Sequence, residues 1–461
     1  MNPRVFREYD IRGVAEQDFP DDFVAELGDA IGEHLFEAGA RRITLARDCR
    51  LSSPRIHRRM RERLLAAGLN VQDIGLAHTP GLYFSVFHLE ADGGVMITAS
   101  HNPEQDNGFK IMRGKDTIFG AEIQELRQRI ERRHRGSKPA AVAPGEATDV
   151  DVLAPYIAYV ANAIALGPRR FKVVVDGGNG MGGMTCVSIL RQLGFDANAL
   201  FCEPDGHFPN HHPDPTVPEN LAALIARVRE TGAEIGIALD GDGDRIGVVD
   251  PAGRIVWGDQ WLMLFALEIL RERPGATFVS EVKCSQVMFD DITARGGRAI
   301  MWKVGHSLIK SKMKEEKAVM AGDMSGHLFF ADRYFGFDDA VYAAARVVEL
   351  LSRSKEPLSA IVDALPAVHN TPEIRVACPE DIKFEVVKRA LEYYQAVYPT
   401  LPVSHVDGAR ISFSGGWGLV RASNTGPMLV LRCEADSALR LAEIRAEMEG
   451  TLVRIKATLG A

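Results

Sequence analysis

The chain has 461 residues, of which 46% are hydrophobic and 25% are charged, and its formal net charge at pH 7 is −8. These values are typical of a globular protein with three or four domains, since a domain spans roughly 100–200 residues. The negative net charge argues against non-specific binding to nucleic acid, which depends on basic patches. Six dispersed cysteines without a C-x-x-C pair argue against a disulfide framework and against a zinc site.

The N-terminal residues contain no apolar signal region, and no run of about 18 apolar residues occurs in the sequence. Local basic sites for small anions remain compatible with the overall charge. We therefore expect a cytoplasmic protein that has neither a membrane nor a nucleic acid as its partner.

Helical and strand patterns alternate along most of the chain, which predicts α/β domains with mixed or mainly parallel sheets. We predict four units with bounds at 1–148, 149–252, 253–366 and 367–461. In the first unit the predicted elements are helices over 22–39 and 54–67, strands over 43–46 and 71–74, and a linker over 134–149 that is rich in glycine, proline and small residues.

The later units continue the alternation of strands and helices. In the second unit we predict strands over 171–176, 234–239 and 246–250 and helices over 184–193 and 219–231. In the third unit we predict helices over 259–272, 306–316 and 338–353. The last unit has a strand-rich segment over 403–433 between helices over 380–396 and 436–457.

An apolar, strand-like segment ends abruptly at Thr-Ala-Ser-His-Asn-Pro, residues 98–103, so that Ser100 stands beside His101 at a turn. A serine next to a histidine is weak evidence of catalysis, because turn serines commonly cap helices. No G-x-S-x-G elbow surrounds Ser100, which argues against an α/β-hydrolase. Lys110, Arg12 and Tyr9 are further candidates for the same site.

The sequence Asp-Gly-Asp-Gly-Asp-Arg at 240–245 places three carboxylates within five residues. In an extended loop Asp240, Asp242 and Asp244 point to the same side and can converge on one cation. Oxygen ligands favour magnesium, calcium or manganese over zinc. An EF-hand is excluded, because its positions 6 and 12 hold an arginine and a proline here. A solvated acidic turn is the alternative, but the neighbouring Arg245 favours a phosphate site, since a guanidinium binds phosphate oxygens in pairs.

The segment 421–427, Arg-Ala-Ser-Asn-Thr-Gly-Pro, joins two predicted strands through small residues. Its hydroxyls, amide and backbone N–H groups could surround a phosphate, with Arg421 supplying charge. A plain β-turn is the alternative.

A glycine-rich turn at 177–183 follows a predicted strand and precedes a predicted helix. Gly178, Gly180 and Gly183 satisfy G-x-G-x-x-G, and Glu203 lies about 20 residues further on, as in a dinucleotide-binding site. An NAD-dependent oxidoreductase is therefore an alternative hypothesis. It ranks second, because it leaves the serine, aspartate and Arg421 segments unexplained.

Seven motifs, in this order along nearly the whole chain, resemble those of the α-D-phosphohexomutase family, and in particular of its bacterial phosphomannomutase/phosphoglucomutase members. They lie at 9–13, 98–103, 240–245, 282–284, 303–307, 322–327 and 421–427. The resemblance implies four domains around a central cleft, namely three similar α/β units with mixed sheets and a smaller C-terminal α+β domain that binds phosphate.

The resemblance also implies an isomerase. Its reaction would be reversible phosphoryl transfer between the 1- and 6-positions of mannose or glucose phosphates, through a phosphoserine and a hexose 1,6-bisphosphate. We would expect one Mg²⁺ per active site, activation by glucose or mannose 1,6-bisphosphate, a hexose phosphate as the substrate, and a monomer or weak homo-oligomer. A phosphoglucosamine mutase of the same family and a non-catalytic sugar-phosphate-binding protein remain alternatives.

The family roles transfer to matching positions of this sequence. The expected catalytic residues are Ser100, His101, Lys110, His306 and Arg12. The expected metal ligands are Asp240, Asp242, Asp244 and the phosphate on Ser100. The expected substrate-binding residues are Tyr9, Arg245, Lys283, His306, Asp323, Ser325, His327, Arg421, Ser423, Asn424 and Thr425. General acid–base work is assigned to His306 or Lys110.

One position departs from the family pattern. Asp323 stands where the family loop G-E-x-S-G-H has a glutamate. Because aspartate is one methylene shorter, we expect its contact with the sugar to be lost, rearranged or bridged by water, which affects the preference between hexoses. Asn424 resembles the phosphomannomutase/phosphoglucomutase members, whereas phosphoglucosamine mutases tend to have glycine there.

Overall fold

The computed structural model describes residues 1–136, 142–424 and 426–459. Four separate sheets follow one another along these residues, with helices packed on them. The predicted four-domain α/β fold is therefore confirmed.

The first domain contains a mixed sheet with the strand order β1-β5-β4-β2-β3-β7, in which β6 pairs with β5. Strands β2, β3, β4 and β7 run parallel to one another, and β5 is antiparallel to its neighbours. The elements are β1 (Ile11–Val14), α1 (Ala15–Asp18), α2 (Asp21–Glu37), β2 (Arg42–Arg47), α3 (Ser53–Ala66), β3 (Asn70–Leu76), α4 (Thr79–His88), β4 (Gly93–Ile97), β5 (Asp106–Arg113), β6 (Asp116–Thr117), α5 (Ala121–His134) and β7 (Ala147–Asp149).

The second domain has a five-stranded sheet in the order β12-β11-β10-β8-β9, and the third has a four-stranded sheet in the order β14-β13-β15-β16. The second domain comprises α6 (Leu153–Ala163), β8 (Lys172–Asp176), α7 (Gly183–Gln192), β9 (Asp196–Leu200), α8 (Ala222–Thr231), β10 (Ile235–Leu239), β11 (Ile246–Val249) and β12 (Ile255–Val256). The third comprises α9 (Gly258–Glu272), β13 (Thr277–Glu281), α10 (Gln286–Ala294), β14 (Arg298–Trp302), α11 (His306–Glu316), β15 (Met320–Gly322), β16 (Leu328–Phe330), α12 (Ala340–Arg353) and α13 (Leu358–Asp363).

The last domain is an antiparallel sheet in the order β17-β22-β21-β20-β19, in which β18 also pairs with β22. Its elements are β17 (His369–Asn370), β18 (Ile374–Ala377), α14 (Lys383–Val397), β19 (Val403–Ser404), β20 (Ala409–Phe413), β21 (Gly416–Ala422), β22 (Met428–Ala435) and α15 (Ala438–Thr458). Two short 3₁₀ helices lie at Pro3–Val5 and Pro218–Leu221. Among the described residues no helix is long and apolar enough to cross a membrane.

The predicted linker over 134–149 is wrong at both of its ends. Helix α5 includes His134, and the backbone of Ala147–Asp149 extends the first sheet as β7, parallel to β3. The sequence of β7 does not indicate a strand, because its residues are small or polar and their side chains are exposed. Its pairing with β3 depends on backbone hydrogen bonds instead. Residues 137–141 lie outside the described part of the chain.

Helix α12 connects the domains through an apolar core that is continuous across the first three of them. Nearly all its side chains are buried, including Val341 and Tyr342. Its N-cap is the fully buried Asp339, which accepts hydrogen bonds from the Tyr342 N–H at 2.8 Å and from the hydroxyls of Tyr156 and Tyr334. The N–H of Ala340, the first residue of the helix, donates to the carbonyl of Gly243. The helix therefore begins against the aspartate loop.

Asp339 should make stability depend on pH. Burial raises the pKa of Asp339 to about 7, although the three hydrogen bonds oppose that shift. The unfolded pKa is about 3.9, so the neutral carboxyl stabilises the fold below about pH 4 and this contribution is lost as the pH rises through about 7. The free energy of unfolding of the wild-type protein should therefore fall by roughly 2–3 kcal/mol between pH 5 and pH 8 because of Asp339. Asp339→Asn, which has no titrating carboxyl at this position, should not show this fall.

Chemical denaturation of the wild-type protein and of Asp339→Asn at the two pH values measures this difference. Asp436→Asn, at an exposed carboxylate, is the matched control. Equal pH dependence in wild type and Asp339→Asn would contradict the prediction.

Candidate active site

Ser100 lies just beyond the buried strand β4 in a left-handed backbone conformation, with φ of 53°. Its N–H donates to the Thr98 hydroxyl at 2.9 Å, and its own hydroxyl donates to Asp240 Oδ2 at 2.7 Å. His101 Nδ1 lies 3.1 Å from the same hydroxyl. A non-glycine residue in this conformation is strained, and such strain occurs where surrounding structure fixes a functional group. The serine side chain is thus aimed at the aspartate loop.

Arg50 holds the serine loop in this position, and sequence reasoning missed it. Its guanidinium is fully buried and pairs with Asp48 at 3.2 Å. It donates hydrogen bonds to four backbone carbonyls of the loop, those of Ser100, Asn102, Pro103 and Asp106, at 2.5–3.0 Å. No local signal marks this role of Arg50, because the four carbonyls that it binds lie about fifty residues away along the chain.

The three aspartates of the 240–245 loop are brought together and buried. One oxygen of each lies within 4.8 Å of the others. Asp240 Oδ1 accepts the backbone N–H groups of Gly243, Asp244 and Arg245 at 3.0–3.1 Å. Burial and the charges of Asp244 and Asp242 raise the pKa of Asp240 well above its ordinary value. The loop therefore concentrates negative charge at one point.

Groups from the first domain compensate part of this charge. Lys110, on β5, is buried and donates to Asp242 Oδ2 at 2.6 Å and to Asp244 Oδ2 at 2.5 Å. The Thr79 hydroxyl at the start of α4 donates to the same oxygen of Asp242 at 2.6 Å. Burial lowers the pKa of Lys110, but the two carboxylates raise it well above its ordinary value, so the ammonium form is held.

The residues at this loop fit a divalent cation. The second oxygens of Asp242 and Asp244 are buried and have no hydrogen-bond partner among the described residues. Three clustered carboxylates, two of which keep an oxygen that accepts no hydrogen bond, are a donor set that suits Mg²⁺. An unpaired buried carboxylate oxygen is costly, and a bound cation would remove that cost.

Arg245 and the 322–327 loop form the next part of the site. Asp323 pairs with His327, whose Nδ1 lies 2.6 Å from Asp323 Oδ2. His327 Nε2 faces Arg245 Nε at 3.3 Å and Asp244 Oδ1 at 3.6 Å. Burial lowers the pKa of His327, but Asp323 and Asp244 raise it to about 10. The shorter acidic side chain is therefore directed onto the histidine of its own loop. Ser325 lies in the turn between β15 and β16.

His306 begins α11 and faces a charged pair that the sequence did not reveal. Its Nδ1 lies 3.4 Å from the fully buried Asp338, whose other oxygen accepts a hydrogen bond from Lys310 at 2.8 Å. Its ring stacks near that of His327, with centroids 5.6 Å apart. Burial, followed by the charge of Lys310, lowers the pKa of His306. The imidazole is therefore held neutral.

Tyr9 connects three domains at the mouth of the site. Its hydroxyl donates to the Val304 carbonyl at 2.5 Å and accepts a hydrogen bond from the Asn424 amide. Gly305 makes room for it, because a Cβ there would lie 2.4 Å from the tyrosine ring. Arg12 pairs with Asp10 at 2.6 Å and donates to Asn102 at 2.7 Å, beside the serine loop.

The predicted phosphate turn begins at the end of β21, which contains Arg421. Arg421 is buried and pairs with Asp407 at 3.1 Å. Its Nη2 has no hydrogen-bond partner among the described residues. Lys383, which the sequence analysis missed, donates to the Ser423 carbonyl at 2.7 Å and so stabilises the turn. Thr425 lies outside the described residues.

Lys283 lies near the same turn. It is buried between Glu281 at 3.2 Å and Glu373 at 3.1 Å. Burial lowers its pKa, but these carboxylates raise it above the ordinary value. Lys283 is therefore a charged ammonium between the third and last domains.

The glycine loop at 177–183 is packed against protein rather than open to a dinucleotide. A Cβ on Gly180 would lie 2.6 Å from the Gly241 carbonyl, and one on Gly183 would lie 2.9 Å from the Cα of Cys202. Its glycines allow the aspartate loop to approach closely. The oxidoreductase hypothesis is not favoured.

Comparison with known proteins agrees with this arrangement. Models of the four phosphoglucomutase/phosphomannomutase domains, alpha/beta/alpha domains I, II and III and the C-terminal domain, match residues 3–136, 154–253, 257–369 and 373–451. A phosphomannomutase/phosphoglucomutase of Pseudomonas putida is 43% identical over 99% of this chain and 96% of its own length.

Two further proteins are similar over nearly their whole length. A phosphoglucomutase of Neisseria gonorrhoeae is 42% identical over 97% of this chain and 96% of its own. The crystal structure of a phosphoglucomutase/phosphomannomutase family protein from Burkholderia thailandensis superposes with a TM-score of 0.91 at 38% identity, covering 99% of this chain and 98% of that one.

Arg50→Lys should loosen the serine loop. A lysine keeps the charge but lacks the planar fork that reaches four carbonyls, and each hydrogen bond from a charged group contributes about 1.5–3 kcal/mol. We expect a loss of at least about 2 kcal/mol of local stability and faster amide hydrogen exchange over 99–106. Arg58→Lys, at an exposed arginine without an ion pair among the described residues, is the matched control. Unchanged exchange in Arg50→Lys would contradict this role.

Proposed function

Since this chain belongs to the phosphoglucomutase/phosphomannomutase family of α-D-phosphohexomutases, we propose that Ser100 carries the phosphoryl group in its reaction. The enzyme is an isomerase that moves a phosphoryl group between the 1- and 6-positions of a hexose phosphate. The observation that supports the role of Ser100 most directly is the 2.7 Å contact between its hydroxyl and Asp240 in the aspartate loop.

In the proposed cycle, the free hydroxyl of a hexose monophosphate attacks the phosphorus of phospho-Ser100. A new O–P bond forms, the bond from phosphorus to Ser100 Oγ breaks, and a hexose bisphosphate results. After the bisphosphate turns over in the cleft, Ser100 Oγ attacks its other phosphate and regains a phosphoryl group. Such transfer depends chiefly on alignment and on neutralising charge on the phosphoryl oxygens.

Proton transfer accompanies both steps. The attacking hydroxyl must lose a proton, and the leaving oxygen must gain one. Our two candidates stand in different charge states, because carboxylates hold Lys110 as an ammonium and burial keeps His306 neutral. We therefore assign His306 as the proton acceptor, with Asp338 orienting the imidazole, and Lys110 as a permanent cation that stabilises negative charge in the site.

Asp240, Asp242, Asp244 and the phosphate on Ser100 would hold Mg²⁺. When bound there, the ion would supply positive charge to the transferring phosphoryl oxygens. Arg12 and His101 lie at the same loop and would add hydrogen bonds to that phosphate. These side chains hold the phosphoryl group in line with the sugar hydroxyl.

Arg421, Ser423, Asn424 and Thr425 would bind the phosphate that does not react. Arg421 has an unpartnered guanidinium nitrogen within the described residues, as a site for an anion requires. Tyr9, Arg245, Lys283, Asp323, Ser325 and His327 would surround the sugar. Because Tyr9 contacts both the third and last domains, closing the cleft and binding the substrate are coupled.

Ser100→Ala should abolish conversion between mannose or glucose 1-phosphate and the 6-phosphate, since no oxygen remains to carry the phosphoryl group. Intact mass spectrometry of the active protein should show a species about 80 Da heavier that maps to Ser100, the mass of one phosphoryl group. Ser412→Ala, at an exposed serine on β20, should keep both activity and the heavier species. An active Ser100→Ala variant, or a phosphate elsewhere, would refute the assignment.

Removing one aspartate should weaken magnesium binding. Asp242→Asn leaves the loop nearly the same size but takes away a buried anionic oxygen, so Mg²⁺ affinity measured by calorimetry should fall by about tenfold or more. Chelation of Mg²⁺ should stop turnover in the wild-type enzyme. Asp436→Asn should bind Mg²⁺ as the wild type does, and equal affinity in Asp242→Asn would place the ion elsewhere.

A further inference from the structure

A cavity of about 850 Å³ lies between the first and third domains, outside the catalytic cleft. Its walls come from α4, β5, β6 and α5 on one side, and from α11 and the segments around β15 and β16 on the other. Neither Ser100 nor any of the loop aspartates lines it. Its volume is in the range of sites that enclose small organic ligands.

Aromatic rings form much of the wall. Tyr83 packs against Phe337 with ring centroids 5.4 Å apart, and Phe87 packs against Phe335 at 4.6 Å. Phe335 and Phe337 are nearly parallel, with an interplanar angle of 8°. A planar apolar group can pack against such rings by stacking on their faces or by edge-to-face contact.

The cavity is basic, although the chain as a whole is acidic. Five basic side chains line it, Lys115, Arg273, Lys310, Lys314 and Lys317, against two acidic ones, Asp116 and Glu122. Both acids are already paired, Asp116 with Lys314 and Glu122 with Arg113. Arg273 pairs with Asp332 and Lys310 pairs with Asp338, so the positive charge without a carboxylate partner comes from the remaining lysines.

Two of these lysines have no carboxylate partner within 4.0 Å in the described part of the chain, namely Lys115 and Lys317. Lys115 instead lies over the ring of Phe87, 5.0 Å from its centroid. A phosphate monoester carries nearly two negative charges at pH 7, which matches two unpaired ammonium groups. Charge and shape thus point to the same kind of ligand.

We propose that this cavity binds an organic phosphate whose phosphate group is attached to a planar aromatic system. The aromatic system lies among Tyr83, Phe87, Phe335 and Phe337, and the phosphate meets Lys115 and Lys317. Helix α11 contributes residues both to this cavity and to the catalytic cleft. Helix α11 presents His306 to the cleft, and one turn later Lys310 lines the cavity, 4.5 Å from the centroid of the Tyr83 ring.

The test uses 1-naphthyl phosphate as the probe and the full-length chain carrying Arg421→Gln, so that the proposed distal phosphate turn does not take up the probe. Binding is measured by calorimetry, which requires no turnover and is independent of whether Ser100 carries a phosphoryl group. We expect one bound probe per chain. Inorganic phosphate lacks the aromatic system, and 1-naphthol lacks the phosphate group. Each should therefore bind at least about tenfold more weakly than the probe.

Two sets of substitutions locate the probe. Lys115→Gln with Lys317→Gln should weaken binding by about tenfold or more, because charge-assisted contacts are lost. Ala331→Trp, at an exposed position of the cavity wall, should block it sterically. Lys355→Gln with Lys388→Gln, at exposed lysines outside the cavity, should leave affinity unchanged.

Absence of probe binding would overturn the proposal, and so would binding that survives both the lysine pair and Ala331→Trp. Equal affinity for 1-naphthol would also overturn it, since the lysines would then have no role. Circular dichroism checks that each variant is folded. If Ala331→Trp does not fold, the lysine pair, which alters only exposed side chains, decides the question.

Discussion

The burial of three aspartates in one loop is the constraint on which the rest of the site depends. Asp240, Asp242 and Asp244 are almost inaccessible to solvent, and like charges at this spacing repel strongly away from water. The compensating groups come from another domain, because Lys110 lies on β5 and Thr79 begins α4. The loop therefore ties the first two domains together, and its concentrated negative charge fits the cation proposed to bind there.

The close approach of backbones then determines where Ser100 lies. A side chain on Gly241 would collide with the Ser100 carbonyl at 2.4 Å, and one on Gly180 would collide with Gly241. Arg50 holds the opposite side of the serine loop through four carbonyls. Ser100 is consequently held in a strained conformation, and its hydroxyl needs little reorganisation to contact the aspartates.

The remaining cations of the cleft are already paired with carboxylates. Arg421 contacts Asp407, Lys283 contacts two glutamates, and His327 contacts Asp323. In the proposed function, a phosphate would bind the Arg421 nitrogen that has no hydrogen-bond partner among the described residues, whereas binding at Lys283 or His327 would require an exchange of partners. Asp323, although one methylene shorter than a glutamate, still contacts a group of the candidate site through its pair with His327.

The spacing of residues along the chain predicted many of the local features of this protein. Alternate residues of an extended segment point to the same side, and glycines mark turns. That reasoning identified the aspartate loop, the Ser100 turn and four units built of helices and strands, and the motif resemblance supplied the functional class. It overlooked β7, whose pairing is made by the backbone. It also missed Arg50, Asp338 and Lys383, whose contacts with the serine loop, His306 and the phosphate turn join residues that are distant in sequence. By itself, the sequence determined which side chains occupy each turn, because a turn is formed by residues that are close together along the chain. Only the tertiary structure decided which cation meets which carboxylate, because contacts such as Lys110 with Asp242 join residues 132 positions apart and form only when the domains pack.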